Sequence, residues 1–373
     1  MLYTGGKMLQ IGSYDAEGDY EARKINNYHV VLGQFANGPG LWSGGVVKPL
    51  AELVDLAGLG YNVIELIDLN DRGQLLIRGW EGPMDQERDP LLLTPRPLPS
   101  ARLTALAARS IAGTNDQTSI AGFVVAGDSP GSILLRTVGP ALAPLGVGNA
   151  ATDPAITIFN SSGSVVATND NWSDDESKIE ALSSTATRLG AQPLAADSAD
   201  AALLADLPAG AYTAHASNPA DPSRIVLTEI YDAGDDDARL TAASIRLHIG
   251  TGESIGIVGF ALAGEGPAKV LLRALGPDLA TRGVANNLAD PQLWLYRGST
   301  PVLANDDWGS ADTTPLLAST TTQVGLSALP DASKDAALLV QLEPGAYTLH
   351  VSGTNNSTGI ALVEVYLVPD TAP

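Results

Sequence analysis

Two loops concentrate the oxygen donors that a hard cation needs. Asn169, Asp170, Asn171, Trp172, Ser173, Asp174 and Asp175 form one run, and Asn305, Asp306, Asp307, Trp308, Gly309, Ser310, Ala311 and Asp312 form the other. Carboxylate and carboxamide oxygens at that density suit Ca2+, which takes roughly six to eight oxygen ligands. The expected ligands are Asp170 and Asp306 first, with Asn169, Asn305, Asn171, Asp307, Asp175 and Asp312 supplying further oxygens. The spacing is not that of an EF-hand, and Asp174 has Ser310 opposite it. The same residue types also fold loops unaided, because Asn and Asp side chains bond their own backbone two residues on. Trp172 and Trp308 are then either packed caps or a sugar-stacking platform.

Charged residues inside apolar runs are the next chemical signal. Arg136 follows Leu134-Leu135, Arg273 follows Leu271-Leu272, and Glu229 and Glu364 sit in later strand-like runs. A cation on an inward strand face needs a partner, so Arg136 is expected to meet Glu229, and Arg273 to meet Glu364. Such a pair either fixes strand order or clamps an anionic ligand. His215 and His350 recur within Tyr-Thr-x-His, on the strand face opposite Tyr212 and Tyr347. A catalytic His needs a nucleophile and an orienting acid, and neither accompanies these. Gly127-Asp128-Ser129-Pro130-Gly131 suggests a serine hydrolase loop, but its counterpart Gly264-Glu265-Gly266-Pro267 has no Ser, so both are expected to be hairpin turns. Gly250-Thr251-Gly252 lacks a phosphate-loop Lys, and no Walker, dinucleotide or zinc pattern occurs. No residue is assigned to catalysis or to an organic cofactor.

The candidates come in pairs because the last two-thirds of the chain is one sequence written twice. Leu103-Thr104-Ala105 returns as Leu240-Thr241-Ala242, Gly122-Phe123 as Gly259-Phe260, and Leu134-Leu135-Arg136 as Leu271-Leu272-Arg273, all at an offset of 137. Asn169-Asp170-Asn171-Trp172 matches Asn305-Asp306-Asp307-Trp308 at 136, and Gly210-Ala211-Tyr212-Thr213 matches Gly345-Ala346-Tyr347-Thr348 at 135. Slips of one residue over so long a span mean two copies of one folded unit, since solenoid and propeller units run about 20–50 residues. Tandem copies serve binding, spacing or avidity more often than catalysis.

Each copy reads as β. Leu103–Ile111, Ile120–Val125, Ile133–Val138, Ile156–Phe159, Val165–Thr168, Ala201–Leu207, Tyr212–Ser217 and Ile225–Tyr231 are strand-like runs broken by Gly, Pro, Asn and Asp. One short helix is expected around Ser177–Leu182. About eight strands per copy suit an antiparallel sandwich or jelly roll. The predicted organisation is all-β: shorter repeats over 1–95, a Pro-rich linker over 96–102, one sandwich over 103–232, an acidic linker over 233–239 holding Asp235-Asp236-Asp237, and a second sandwich over 240–369.

Within 1–95, Ile25-Asn26-Asn27-Tyr28-His29-Val30 aligns with Leu69-Asn70-Asp71-Arg72-Gly73-Gln74 at an offset of 44, and Leu2-Tyr3-Thr4-Gly5-Gly6 aligns with Leu41-Trp42-Ser43-Gly44-Gly45 at 39. A period near 40–45 with such turns is that of a propeller blade. The segment resembles the HAF repeats of bacterial extracellular proteins, with Tyr28-His29 standing where that pattern has Gly. Met1 falls inside a repeat, and a fraction of a propeller leaves open edges, so a longer product or a misassigned start is expected.

The long copies resemble a C-terminal repeat module of large bacterial secreted proteins, through Leu-Leu-Arg-x-x-Gly-Pro, Asn-Asp-x-Trp and Gly-Ala-Tyr-Thr. More loosely, they are similar to the pre-peptidase C-terminal β-sandwich, through Ile156–Phe159, Ser162-Gly163, Asn169-Asp170 and Pro208–Tyr212. The resemblance implies an accessory, non-catalytic domain.

Composition bounds the partners. Lys+Arg 21 against Asp+Glu 42 gives a net charge of −21, which repels phosphate backbones and anionic lipid. No cysteine is present, excluding disulfides and thiolate chemistry. No apolar run approaches the roughly 20 residues of a spanning helix, and residues 1–20 are not a signal peptide. The expected function is non-enzymatic: an extracellular or cell-surface repeat protein serving binding, adhesion or spacing toward an extracellular protein or polysaccharide. The alternative is a substrate- or carbohydrate-targeting region of a larger secreted hydrolase. Genomic sequence upstream of Met1 would separate the two.

Overall fold

A computed structural model describes residues 2–4, 7–9, 21–55, 58, 63–80, 90–96, 101–234, 238–310 and 314–369. Linker residues 97–100 and 235–237, and the candidate ligand Asp312, lie outside the described residues. The class is all-β, with antiparallel strand ladders and a few helices in the connections. Strands form at 102–111, 120–126, 131–138, 155–160, 165–169, 201–207, 210–217 and 225–232 in the first copy. The second copy repeats them at 239–249, 256–263, 268–275, 291–297, 300–305, 336–342, 345–353 and 359–368. Period-two patterning places them: Ala121, Phe123 and Val125 are buried while their neighbours along 120–126 are not. The helix foreseen at 177–182 extends over Glu176–Arg188. Asp175 caps its start by accepting from Ser177 N, and Ile179, Leu182 and Ala186 pack on its inner side. Its counterpart in the second copy is Thr314–Gln323.

The two copies share both of their sheets. Strand 102–111 pairs with 225–232 of its own copy on one side and with 256–263 of the second copy on the other. Strand 239–249 does the reverse, pairing with 359–368 of its own copy and 120–126 of the first. From edge to edge, one sheet therefore runs 201–207, 131–138, 225–232, 102–111, 256–263, 345–353, 291–297, 300–305. The other runs 336–342, 268–275, 359–368, 239–249, 120–126, 210–217, 155–160, 165–169. The two boundary strands meet at Leu103 and Leu240, both fully buried. The sequence boundary at 233–239 thus divides the repeat but not the sheets. One apolar core, including Leu106, Phe123, Tyr212, Leu240, Phe260 and Tyr347, runs through both copies. Phe123 stacks on Tyr212 and Phe260 on Tyr347, each at 5.5 Å.

The sheet order also corrects the turns at 127–130 and 264–267. They were expected to close hairpins, yet each links strands that pair with different neighbours. Strand 120–126 pairs with 210–217 and 239–249, whereas 131–138 pairs with 201–207 and 225–232. Each turn is a crossover between sheets, and the positive φ of Gly127 and Gly264 (138° and 144°) serves it.

The shorter repeats form a four-stranded sheet over 21–49 and a three-stranded sheet over 63–93. Val30, Leu32, Leu50, Leu69, Leu75 and Ile77 make their common core. The Asn turns of the 44-residue repeat bond one another: Asn26 Nδ2 donates to Asn70 O at 3.2 Å, and Asn27 Nδ2 donates to Asp71 Oδ2 at 2.7 Å. Gly44 and Gly45, both at positive φ, turn the hairpin of 38–43 and 46–49.

This segment docks on strand 336–342, an edge of the shared sheets. Gln341 N donates to Tyr28 O at 3.1 Å, Ser43 Oγ donates to Gln341 O at 2.8 Å, and Lys48 pairs with Glu343 at 2.6 Å.

Candidate functional site

The sequence candidates converge on one place in each copy. Pairing of 131–138 with 225–232 sets Arg136 directly opposite Glu229, and the equivalent ladder sets Arg273 opposite Glu364. All four side chains are buried. Arg136 Nε lies 3.1 Å from Glu229 Oε2, and Arg273 Nη2 lies 2.5 Å from Glu364 Oε2. Tyr231 and Tyr366, two residues further on, donate their hydroxyls to Glu229 Oε1 (2.9 Å) and Glu364 Oε1 (3.2 Å). Burial pushes both glutamates above the ordinary carboxylate range, and the facing guanidinium opposes that push. Burial and the adjacent glutamate also raise both tyrosines.

The Asn-Asp-x-Trp loops close over these pairs. Trp172 and Trp308 are 6% and 3% exposed, so neither offers a free ring face. Their indole N–H groups donate to Ala195 O (2.9 Å) and Pro330 O (3.0 Å). Asn169 Oδ1 accepts from Ala202 N and its Nδ2 donates to Asn171 O, and Asn305 bonds Ala337 N and Asp307 O in the same way. These two asparagines splice each loop to strand 201–207 or 336–342.

Those bonds decide how well the loops suit Ca2+. Asn169 and Asn305 have committed their carbonyl oxygens. Asp175 caps its helix and pairs with Lys178, and its bonds to Lys178 and Ser177 hold its carboxyl down at about 2. Asp307 Oδ2 accepts from Lys334 at 3.1 Å, and Asn171 Nδ2 donates to Asp174. Asp170 is exposed and Asp306 half-buried. Among the described residues no three acidic or His side chains gather to hold a metal. These bonds engage oxygens of Asn169, Asn305, Asp175 and Asp307, while Asp307 Oδ1 accepts no hydrogen bond.

One aspartate outside the sequence assignment completes each site. Asp200 and Asp335 are fully buried. Asp200 accepts from Gly139 N at 2.7 Å and Asp335 accepts from Gly276 N at 2.7 Å, with Ser198 and Ser333 donating to them. They hold the Gly-Pro turn that follows each arginine strand. A Cβ at Gly139 or Gly276 would meet a backbone carbonyl at 2.6 or 2.0 Å, so only Gly fits there. Ser-x-Asp-Ala-Ala, at Ser198–Ala202 and Ser333–Ala337, was the recurring signal that could have found them.

His215 and His350 lie outside these sites, on outward strand faces. His215 packs against Phe159 at 4.6 Å and His350 against Tyr296 at 4.4 Å. Burial lowers both imidazoles, and Arg246 adds to the effect at His215.

In the first copy the site keeps a cavity of about 60 Å3, floored by Leu134 and Arg136 and walled by Trp172, Leu182, Ala186 and Leu194. Ser183, Thr187 and Pro193 at its rim are exposed. Chemically it is an apolar recess with one buried cation at its base.

No family model and no curated protein sequence matches the chain. Among solved structures, the chain is similar to a DUF4785 family protein from Legionella pneumophila, with a TM-score of 0.23 and 8% identity over 72% of this chain and 83% of that one. Likeness at that level carries no argument about function. No helix among the described residues is long and apolar enough to cross a membrane.

Proposed function

We propose that this chain is a non-enzymatic extracellular or cell-surface protein serving binding, adhesion or spacing, with its two long copies acting as one stiff body. The observation that carries this reading is the edge-to-edge pairing of strands 102–111 and 239–249 with strands 256–263 and 120–126 of the other copy. Ordinary domains in tandem move relative to one another. Repeats that share both sheets cannot hinge without breaking ladder hydrogen bonds in each, and a spacer that transmits position or load needs that stiffness. The likeness to HAF repeats and to a secreted C-terminal module supports the extracellular setting. A net charge of −21 favours protein or polysaccharide partners over nucleic acid or anionic lipid.

The test is single-molecule stretching between handles at residues 101 and 369. A shared-sheet spacer ruptures in one event that releases both copies, on the order of 900 Å of contour at up to ~3.6 Å per residue. Two separate events, each releasing about half of that length, would remove the support for a unitary spacer.

A further inference from the structure

The two arginine sites follow one plan but are finished differently. Arg273 bonds Glu364 Oε2 through Nε at 2.7 Å and contacts it through Nη2, while its Nη1 reaches Ser327 O at 3.5 Å. Arg136 Nε lies 3.1 Å from Glu229 Oε2 without completing a hydrogen bond, and Nη1 has no acceptor although the residue is 1% exposed. A buried donor without an acceptor is costly, and Arg136 is among the residues that line the first-copy cavity. The void has a cause in sequence. The helix-end hydrogen bond of Ala191 N to Ala186 O is matched by that of Leu326 N to Thr321 O, so two alanines replace a threonine and a leucine. The first copy thus has the smaller side chain at the cavity wall, Ala186 where the second has Thr321.

We propose that this cavity binds a small neutral carbonyl group on a short aliphatic stub, of acetamide size. Its oxygen accepts from Arg136 Nη1, and its hydrocarbon lies against Leu134, Leu182, Leu194 and the Trp172 indole. Charge selects the class. Glu229 already balances Arg136, so a carboxylate ligand would set two buried anions against one cation. A carbonyl satisfies the donor and brings no charge. Size agrees: one water takes about 10–15 Å3 by this measure, so the void holds a group of about four heavy atoms. The exposed rim at Ser183, Thr187 and Pro193 admits such a group as the pendant of a larger molecule, such as an acetamido substituent. The site stands whether or not the copies act as a spacer.

The experiment uses the full chain labelled with 5-fluorotryptophan and read by fluorine NMR. Trp172→Phe identifies the Trp172 line, and Trp308, in the second copy, is the internal control. Acetamide should move the Trp172 line saturably, with a Kd on the order of a millimolar as befits so small a ligand, and leave Trp308 in place. Sodium acetate at matched ionic strength should not. Ala186→Thr, which imports the second copy's residue, should weaken binding at least about tenfold while an unchanged Trp308 line reports an intact fold. Should that variant misfold, Leu194→Phe fills the same void from another wall. Absence of a saturable shift with acetamide would mean a recess for water only. A response to acetate as strong as to acetamide, or undiminished binding in the filled variant, would equally overturn the proposal.

Discussion

His29 meets Leu339 across the seam between the short repeats and the second long copy, its Nδ1 lying 3.1 Å from the Leu339 carbonyl oxygen. The backbone of His29 has φ 60°, and Gly73, its counterpart 44 residues on, has φ 72°. A left-handed conformation costs a non-Gly residue about 1–2 kcal/mol. The departure from the repeat's Gly is therefore compensated locally: the ring serves an edge-strand carbonyl that Gly could not reach.

Burial lowers the His29 pKa, partly offset by the bond to Leu339. With Nδ1 donating to the carbonyl, the buried ring is neutral. Below about pH 6.5 an unfolded His takes up a proton that the folded one resists. This contribution to stability is thus complete above pH 6.5 and is lost as pH falls below it. His29→Gly should cost little near pH 7.5, because a lost hydrogen bond of about 0.5–1.5 kcal/mol is set against relief of backbone strain. Its melting temperature should fall less than that of the wild type between pH 7.5 and 5.5. His215 and His350 titrate in both proteins and cancel. Equal falls would show that His29 is not the titrating group.

The Arg273–Glu364 pair makes a sharper stability test. Arg273→Met leaves a buried carboxylate without its cation and should cost about 3–5 kcal/mol in urea unfolding. Adding Glu364→Leu should return most of that loss, since a well-packed apolar pair can replace a buried ion pair at little cost. A double variant no more stable than the single one would mean that the two residues are not coupled.

Much of this was legible in the residues. The duplicated strands, the Arg–Glu partners and the outward histidines follow from alternation and from the electrostatic need of a buried cation. The joining of the sheets was not legible, because a first strand alternates identically whether its second edge is free or pairs with the other copy. The asymmetry of the edges was also hidden. Asp206 stands exposed on strand 201–207 where the second copy has Gln341 beneath Tyr28 and Ser43. An exposed edge charge deters further pairing, but its meaning depends on knowing which edge the N-terminal segment covers. The cavity was illegible for a similar reason, since Ala186 for Thr321 matters only above Arg136.

The donor oxygens of the two Asn-Asp-x-Trp loops are partly engaged by the fold. Asn169 and Asn305 hold backbone amides, Asp175 caps a helix and Asp307 pairs with Lys334. Asp170→Ala/Asp306→Ala should therefore show the same thermal shift as the wild type when millimolar calcium replaces a chelator. A bound ion at about 100 Kd would add about 2.7 kcal/mol. A wild-type shift approaching that size, absent from the double variant, would mean that the loops rearrange to bind.

The sheets joined across the copies make the strongest prediction. Each shared sheet takes half its strands from each copy, so covalent continuity through 235–237 is not what keeps the copies together. A protease site inserted there, cut after folding, should leave the two fragments associated, eluting as one species in native size-exclusion and separating only in denaturant. Leu103→Ala, at the crossing point with Leu240, should cost about 2–5 kcal/mol, as other buried leucines do. Because the core is continuous, the loss should appear as one earlier transition of the whole body, with both copies losing hydrogen-exchange protection together. Independent sandwiches would instead separate on cleavage, and Leu103→Ala would then lower protection in residues 103–232 while leaving 240–369 unchanged.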